Sequence, residues 1–124
     1  MEINNPEALA GMRAGFDRYE VALNENDVAV LDDTFKVADE TIRYGVNEHL
    51  YGHAEIAAFR ASRGPQAVRT LTRTHFTTYG ADYGIAWVEF TRPGMTRTGR
   101  QTQTWVRFPD EGWRVVAAHV SLAG

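Results

Sequence analysis

The sequence contains no cysteine, and that absence removes disulfides, thiolate nucleophiles and cysteine-ligated zinc from consideration. Lysine is nearly absent too. Lys36 is the only one among 13 basic residues, so the cationic chemistry of this chain is arginine chemistry. A guanidinium is planar and grips carboxylates in a two-pronged fork, whereas an ammonium acts as a point charge. There is no surplus of positive charge: at a formal net charge of -3 the chain offers no basic field to hold nucleic acid. No apolar run is long enough for a bilayer span and no apolar leader is visible, so a cytoplasmic protein without a membrane partner is expected. Repeats, linkers and low-complexity tracts are also missing. What remains is 124 residues of ordinary globular composition, 44% hydrophobic and 23% charged, which suits one domain over residues 1–124.

Asn5-Pro6-Glu7 opens a helix with a capping side chain, a proline at the first helical position and an acid near the positive dipole end. Leu9, Met12, Phe16, Tyr19 and Leu23 then recur at steps of three and four, forming one apolar stripe that ends at Asn24-Glu25-Asn26. Asp27 caps a short second helix carrying Val28, Leu31 and Phe35. Residues 40–45 read as a strand, followed by a turn at Asn47-Glu48. A third helix is predicted from His53 to Ser62 and is stopped by Arg63-Gly64-Pro65. Four long strands follow near Val68–Tyr79, Tyr83–Arg92, Gly99–Phe108 and Trp113–Leu122, separated by glycine- and proline-containing turns. Helices followed by antiparallel strands predict an α+β fold in which the helices close one side of a curved sheet.

Few residues stand out chemically. Periodicity alone makes Tyr19 one more member of the apolar stripe, its hydroxyl directed at some polar partner. Arg43 alternates with Thr41 on one strand face; taken alone it is an ordinary surface arginine, but placed in a cavity it needs an anion. No acid is fixed as its partner, although Glu40 and Glu89 are candidates. On the last strand, strict alternation puts Val115, Ala117, His119 and Ser121 on one face. On the strand before it, Gln101, Gln103, Trp105 and Arg107 share one face, and Arg100, Thr102, Thr104 and Val106 share the other. His53 reads as a helix-start residue and His75 as a solvated one. The histidines lack paired spacing, so no metal site is predicted. No nucleophile elbow or phosphate-binding loop is present.

The stretch Asp17-Arg18-Tyr19-Glu20-Val21-Ala22-Leu23-Asn24-Glu25-Asn26-Asp27 resembles the first helix of the ketosteroid isomerases and their cone-shaped NTF2-like relatives. That resemblance implies a cavity bordered by Tyr19, with the Thr41/Arg43 face lining it. It places Arg43 where the isomerases carry their proton-transferring aspartate, and Thr104 where they carry a second, protonated carboxylic acid. Both carboxyls are therefore replaced, and steroid-type isomerisation is not expected. The resemblance also turns Ala117, His119 and Ser121 toward the cavity and leaves Trp105, with Gln101 and Gln103, on the opposite face. An exposed tryptophan there would suit a homodimer interface.

A narrower resemblance covers nearly the whole chain. Phe16-Asp17-Arg18-Tyr19-Glu20, Thr41-Ile42-Arg43-Tyr44-Gly45, Leu50-Tyr51-Gly52-His53 with Ala58-Phe59-Arg60, Thr77-Thr78-Tyr79-Gly80, Gly99 to Arg107 and Ala117-Ala118-His119-Val120-Ser121 are similar to the AtzH/HpxZ family. The resemblance implies small NTF2-like homodimers that act in ureide breakdown alongside amidases. The implied activity is cofactor-independent decarboxylation of 1,3-dicarboxyurea to allophanate, or action on a compound of the oxalurate branch. Tyr19 and Arg43 match the family's catalytic pair, with Arg43 expected at the retained end of a small anionic substrate. His119, Ser121 and Thr104 are the expected additional substrate contacts. The competing expectation is a non-catalytic anion-binding or accessory protein serving a neighbouring amidase.

Overall fold

The computed structural model describes residues 1–124, in the order α1 (Pro6–Glu25), α2 (Val28–Thr34), β1 (Ile42–Tyr44), β2 (His49–Tyr51), α3 (His53–Arg63), β3 (Thr70–Tyr79), β4 (Tyr83–Thr91), β5 (Gly99–Phe108) and β6 (Gly112–Leu122). The Asn5 side chain accepts from the Ala8 N–H at 3.0 Å and so caps α1, with Pro6 in the first turn. At the other end Asn26 takes the left-handed conformation (φ 54°), and its N–H is directed at the Ala22 and Leu23 carbonyls. Between these caps, Met12, Phe16, Tyr19 and Ala22 are buried, which is the face the apolar spacing marks out. Asp27 caps α2 through the Val30 N–H.

The strands form one curved, unclosed sheet in the order β2-β1-β6-β5-β4-β3. All neighbours are antiparallel except β1 and β6, which run parallel. β2 is an addition to the sequence reading. The turn at Asn47-Glu48 closes a hairpin with β1, and two three-residue strands are too short for alternation to show.

The register of β5 against β6 decides which side chains face inward. Thr104 pairs with Ala117, but Trp105 pairs with Val115, so Val116 is an extra, bulged residue. A bulge shifts the alternation by one. Val115 and Ala118 are therefore both buried, while Ala117 and His119 are exposed. Strict alternation across Val116 puts the wrong residues inside, and here the structure corrects the sequence reading. On β5 the inward face carries Gln101, Gln103 and Trp105, all of them buried. Trp105 is fully enclosed and donates from Nε1 to the Gln103 Oε1 at 3.0 Å. It belongs to the core, not to an outer interface.

Helix α1 crosses this tryptophan closely. A Cβ on Gly15 would lie 2.8 Å from the Trp105 ring, inside any ordinary contact distance, and the indole is held by its hydrogen bond. Alanine gains about 1 kcal/mol of helix propensity over glycine, whereas overpacking a fixed core costs about 1–3 kcal/mol. Gly15→Ala is accordingly expected to lower the thermal midpoint by a few degrees. A midpoint that rises instead would mean that the helix backs away from Trp105 without strain.

Candidate functional site

Between α1, α3 and the inner face of the sheet lies a cavity of about 360 Å³, near the lower end of the roughly 300–1,000 Å³ usual for small-ligand pockets. Its wall combines Tyr19 and Leu23 from α1, Arg43 from β1, and Val46, Asn47 and Glu48 from the β1–β2 turn. Phe59, Arg60 and Arg63 come from α3, Gln66 and Arg69 from the segment before β3, and Phe90, Arg92, Gln101 and Val120 from the sheet. Tyr19 and Arg43 thus line one space. Arg43 stands in register with Ala118, whose small side chain leaves room beside the guanidinium.

Five arginines converge here, and most are buried: Arg43 is 9% exposed, Arg60 4% and Arg69 4%. Each of these three has a carboxylate. Glu48 reaches Arg43 at 2.9 Å, Asp32 approaches Arg60 at 3.4 Å, and Glu20 forks onto Arg69. The partner of Arg43 is therefore Glu48. Glu89 lies on the outer face, in register with Arg73 and Arg100, and Glu40 is exposed. Aromatic rings carry the guanidinium planes. Phe59 has Arg43 and Arg63 at 5.6 and 5.3 Å from its centroid, Phe90 has Arg69 and Arg92 at 4.7 and 5.2 Å, and Arg60 lies 4.3 Å from Phe35. Several polar atoms in the wall remain buried without partners, namely Arg60 Nη2, Arg63 Nε and Gln101 Oε1. Such groups ordinarily find partners. All three belong to residues that line the cavity.

Tyr19 is 3% exposed. Burial alone would raise its pKa, but Arg69, Arg60 and Arg43, together with the Gln101 hydrogen bond, outweigh that and hold the phenol below its ordinary range. Gln101 Nε2 donates to the Tyr19 oxygen at 3.5 Å, so the phenolic hydrogen is left to be given elsewhere. A tyrosine acidified by cations and aimed into a cavity is a competent proton donor.

The three expected additional substrate contacts do not reach the cavity. His119 is exposed beyond the Val116 bulge, edge-on to Tyr44 at 5.6 Å. Ser121 pairs with Arg100 on the outer face, where its hydroxyl accepts from the Arg100 Nε at 3.3 Å. Thr104 alternates out of phase with buried Trp105 and Gln103. Conversely, Gln101, Arg60, Arg63, Arg69, Arg92 and Glu48 line the cavity, where the sequence reading had placed none of them. For Gln101 the signal was present: it shares alternation with Trp105, the bulkiest side chain of its strand, which marks the buried face. His53 opens α3 without capping it, since its ring Nε2 lies 2.7 Å from the Asp32 carbonyl and ties α3 to α2.

An α-helical lid over a curved sheet with a side-chain-lined cavity defines the NTF2-like class. Similarity to solved structures agrees: an NTF2-like superfamily protein from Salmonella enterica aligns with a TM-score of 0.76 at 23% identity over 94% of this chain and 92% of its own. The chain belongs to the AtzH-like family, whose model matches residues 1–124. Two solved structures are much nearer in sequence. A protein of unknown function from Pectobacterium atrosepticum is 54% identical over 98% of this chain and 95% of its own, with a TM-score of 0.94. A cystatin-like fold protein from Burkholderia xenovorans is 43% identical over 100% and 98%, with a TM-score of 0.96. No curated protein matches the chain.

The charge around Tyr19 has a direct spectroscopic consequence. Among the five tyrosines, Tyr19 should be the first to ionise as pH rises, giving a phenolate absorbance step below the usual value near 10. Tyr19→Phe should delete that step and leave the later ones unchanged. A single unresolved transition identical in both proteins would show that the guanidiniums do not act on Tyr19.

Proposed function

We propose that this protein is a cofactor-independent decarboxylase of a small N-carboxylated urea, converting 1,3-dicarboxyurea to allophanate and carbon dioxide in ureide catabolism beside an amidase. The observation that carries the reading is the meeting of Tyr19 and Arg43 in one arginine-walled cavity, within a family in which the matching pair is catalytic. Both carboxyl groups of the isomerase site are replaced, so the site is equipped to stabilise negative charge and deliver a proton, not to abstract one.

In the reaction the bond between a urea nitrogen and its carboxylate carbon breaks. Carbon dioxide leaves, and the electron pair stays on the nitrogen, in conjugation with the urea carbonyl. Arg43 contacts the part of the substrate that is retained, at the carbonyl oxygen where charge grows. Holding the departing carboxylate tightly would stabilise the ground state and slow the step. Tyr19 gives its proton to the nitrogen and regains one from solvent. Glu48, now on Arg43, must yield that guanidinium to the substrate.

We further propose a homodimer formed through the outer face of the sheet. Trp105 is not its anchor, being buried. Trp87, 50% exposed, and Tyr83, 58% exposed, stand on that face, with Thr102 and Thr104 on the neighbouring strand and His119 and Ser121 beyond it. Trp87→Arg should lower the mass measured by light scattering toward the 13.9 kDa chain. A native protein that already scatters as a monomer would rule this interface out.

Catalysis is tested by adding purified protein to 1,3-dicarboxyurea and following allophanate and carbon dioxide. Arg43→Ala should reduce kcat/KM by a factor corresponding to about 2–5 kcal/mol, the usual loss on breaking a desolvated charge pair, and Arg43→Lys should recover little of it. Tyr19→Phe should lower kcat more than it alters KM. No acceleration over buffer by native protein would leave an anion-binding role as the better account.

A further inference from the structure

Three carboxylates, of which Glu48 lines the cavity, account for three of its five arginines, and the remaining two form a pattern. Phe59 and Phe90 each carry two guanidiniums. On each ring one arginine has an acid, Glu48 for Arg43 and Glu20 for Arg69. The other has none. Arg63 makes no ion pair, and its Nε is buried without any partner. Arg92 bonds only a backbone carbonyl, from Nε to the Ala67 oxygen at 2.9 Å. Arg60, one helical turn before Arg63 and 4% exposed, adds an unpartnered Nη2.

We propose that Arg63 and Arg92 are specificity-determining residues that hold a second carboxylate, so that the cavity selects small dianions over monoanions. Two uncompensated guanidiniums in a half-buried wall repel each other and the charges beside them, and a ligand carboxylate relieves both. The pKa directions agree with that crowding. Burial, then Arg43, lowers the pKa of Arg63, and burial, then Arg69, lowers that of Arg92. The inference rests on the decarboxylase reading for which carboxylate is meant: the one that stays with the product, placed away from the bond that breaks. Arg43 then serves the urea carbonyl, while Arg63 and Arg92 fix the far end and orient the substrate.

The test uses non-reactive ligands, so that binding is read apart from turnover. Glutarate carries two carboxylates, and pentanoate is the same length with one. Calorimetry on the native protein should show glutarate binding at least about tenfold more tightly than pentanoate, the scale of one charge-assisted contact. In Arg63→Met and in Arg92→Met that preference should collapse toward equality. Arg97→Met, which removes the same charge on the exposed β4–β5 turn, should keep it. If a methionine variant does not fold, Arg63→Gln or Arg92→Gln gives the same reading with a polar head at the site. A preference that survives both substitutions overturns the proposal, as does native protein that binds the two ligands equally. Native protein that prefers glutarate through these arginines but fails to decarboxylate dicarboxyurea refutes the reaction and retains the dianion site.

Discussion

Confining several positive charges around one small space is the constraint from which most of this structure follows. An unpaired charge taken out of water costs several kcal/mol, and five guanidiniums share this wall. The fold answers by sending an acid to the arginines from three different elements: Glu20 on α1, Asp32 on α2 and Glu48 on the β1–β2 turn. Helix placement follows the same need. His53 on the Asp32 carbonyl and Arg60 on the Leu31 carbonyl tie α3 to α2, so the helices that close the cavity are fastened by the groups that manage its charge.

The same cavity in the isomerases holds acids in an apolar pocket, where a carboxyl takes a proton from carbon. Here the strand residue that lines the cavity is Arg43, and cations surround the helix tyrosine. Substituting one sign of charge for the other changes what the wall favours, from a neutral donor–acceptor network to an accumulating anion. The fold is shared while the charge of the wall differs, because the architecture fixes where side chains point and leaves open which they are.

The helices were legible from their caps and spacing, since Asn5, Pro6 and Asp27 act locally and need no tertiary partner. The long strands were legible from their turns. The inner face of β6 was not, because one bulged residue, Val116, breaks the alternation on which such readings depend. Tyr19 and Arg43 were found through resemblance, and they do share a cavity. The arginines of α3 and of the β-strand ends were invisible for a different reason. Arg60, Arg63, Arg69 and Arg92 lie far apart along the chain, and only the closure of α3 over the sheet brings them together. A single charged residue on a helix reads as solvated until something is packed above it.

The aromatic rings beneath the guanidiniums carry one more consequence. A guanidinium lying on a ring has shed water from that face while its edge N–H groups keep their capacity to donate. Phe59 and Phe90 therefore act as a fixed, non-polar solvent for four of the charges. The rings hold the four forks in direction, and two of those forks, on Arg43 and Arg69, already carry a carboxylate. Leucine at either ring position would keep the volume apolar but let water return beneath the guanidiniums. The wall would still be cationic, yet each encounter with an anion would begin by drying it.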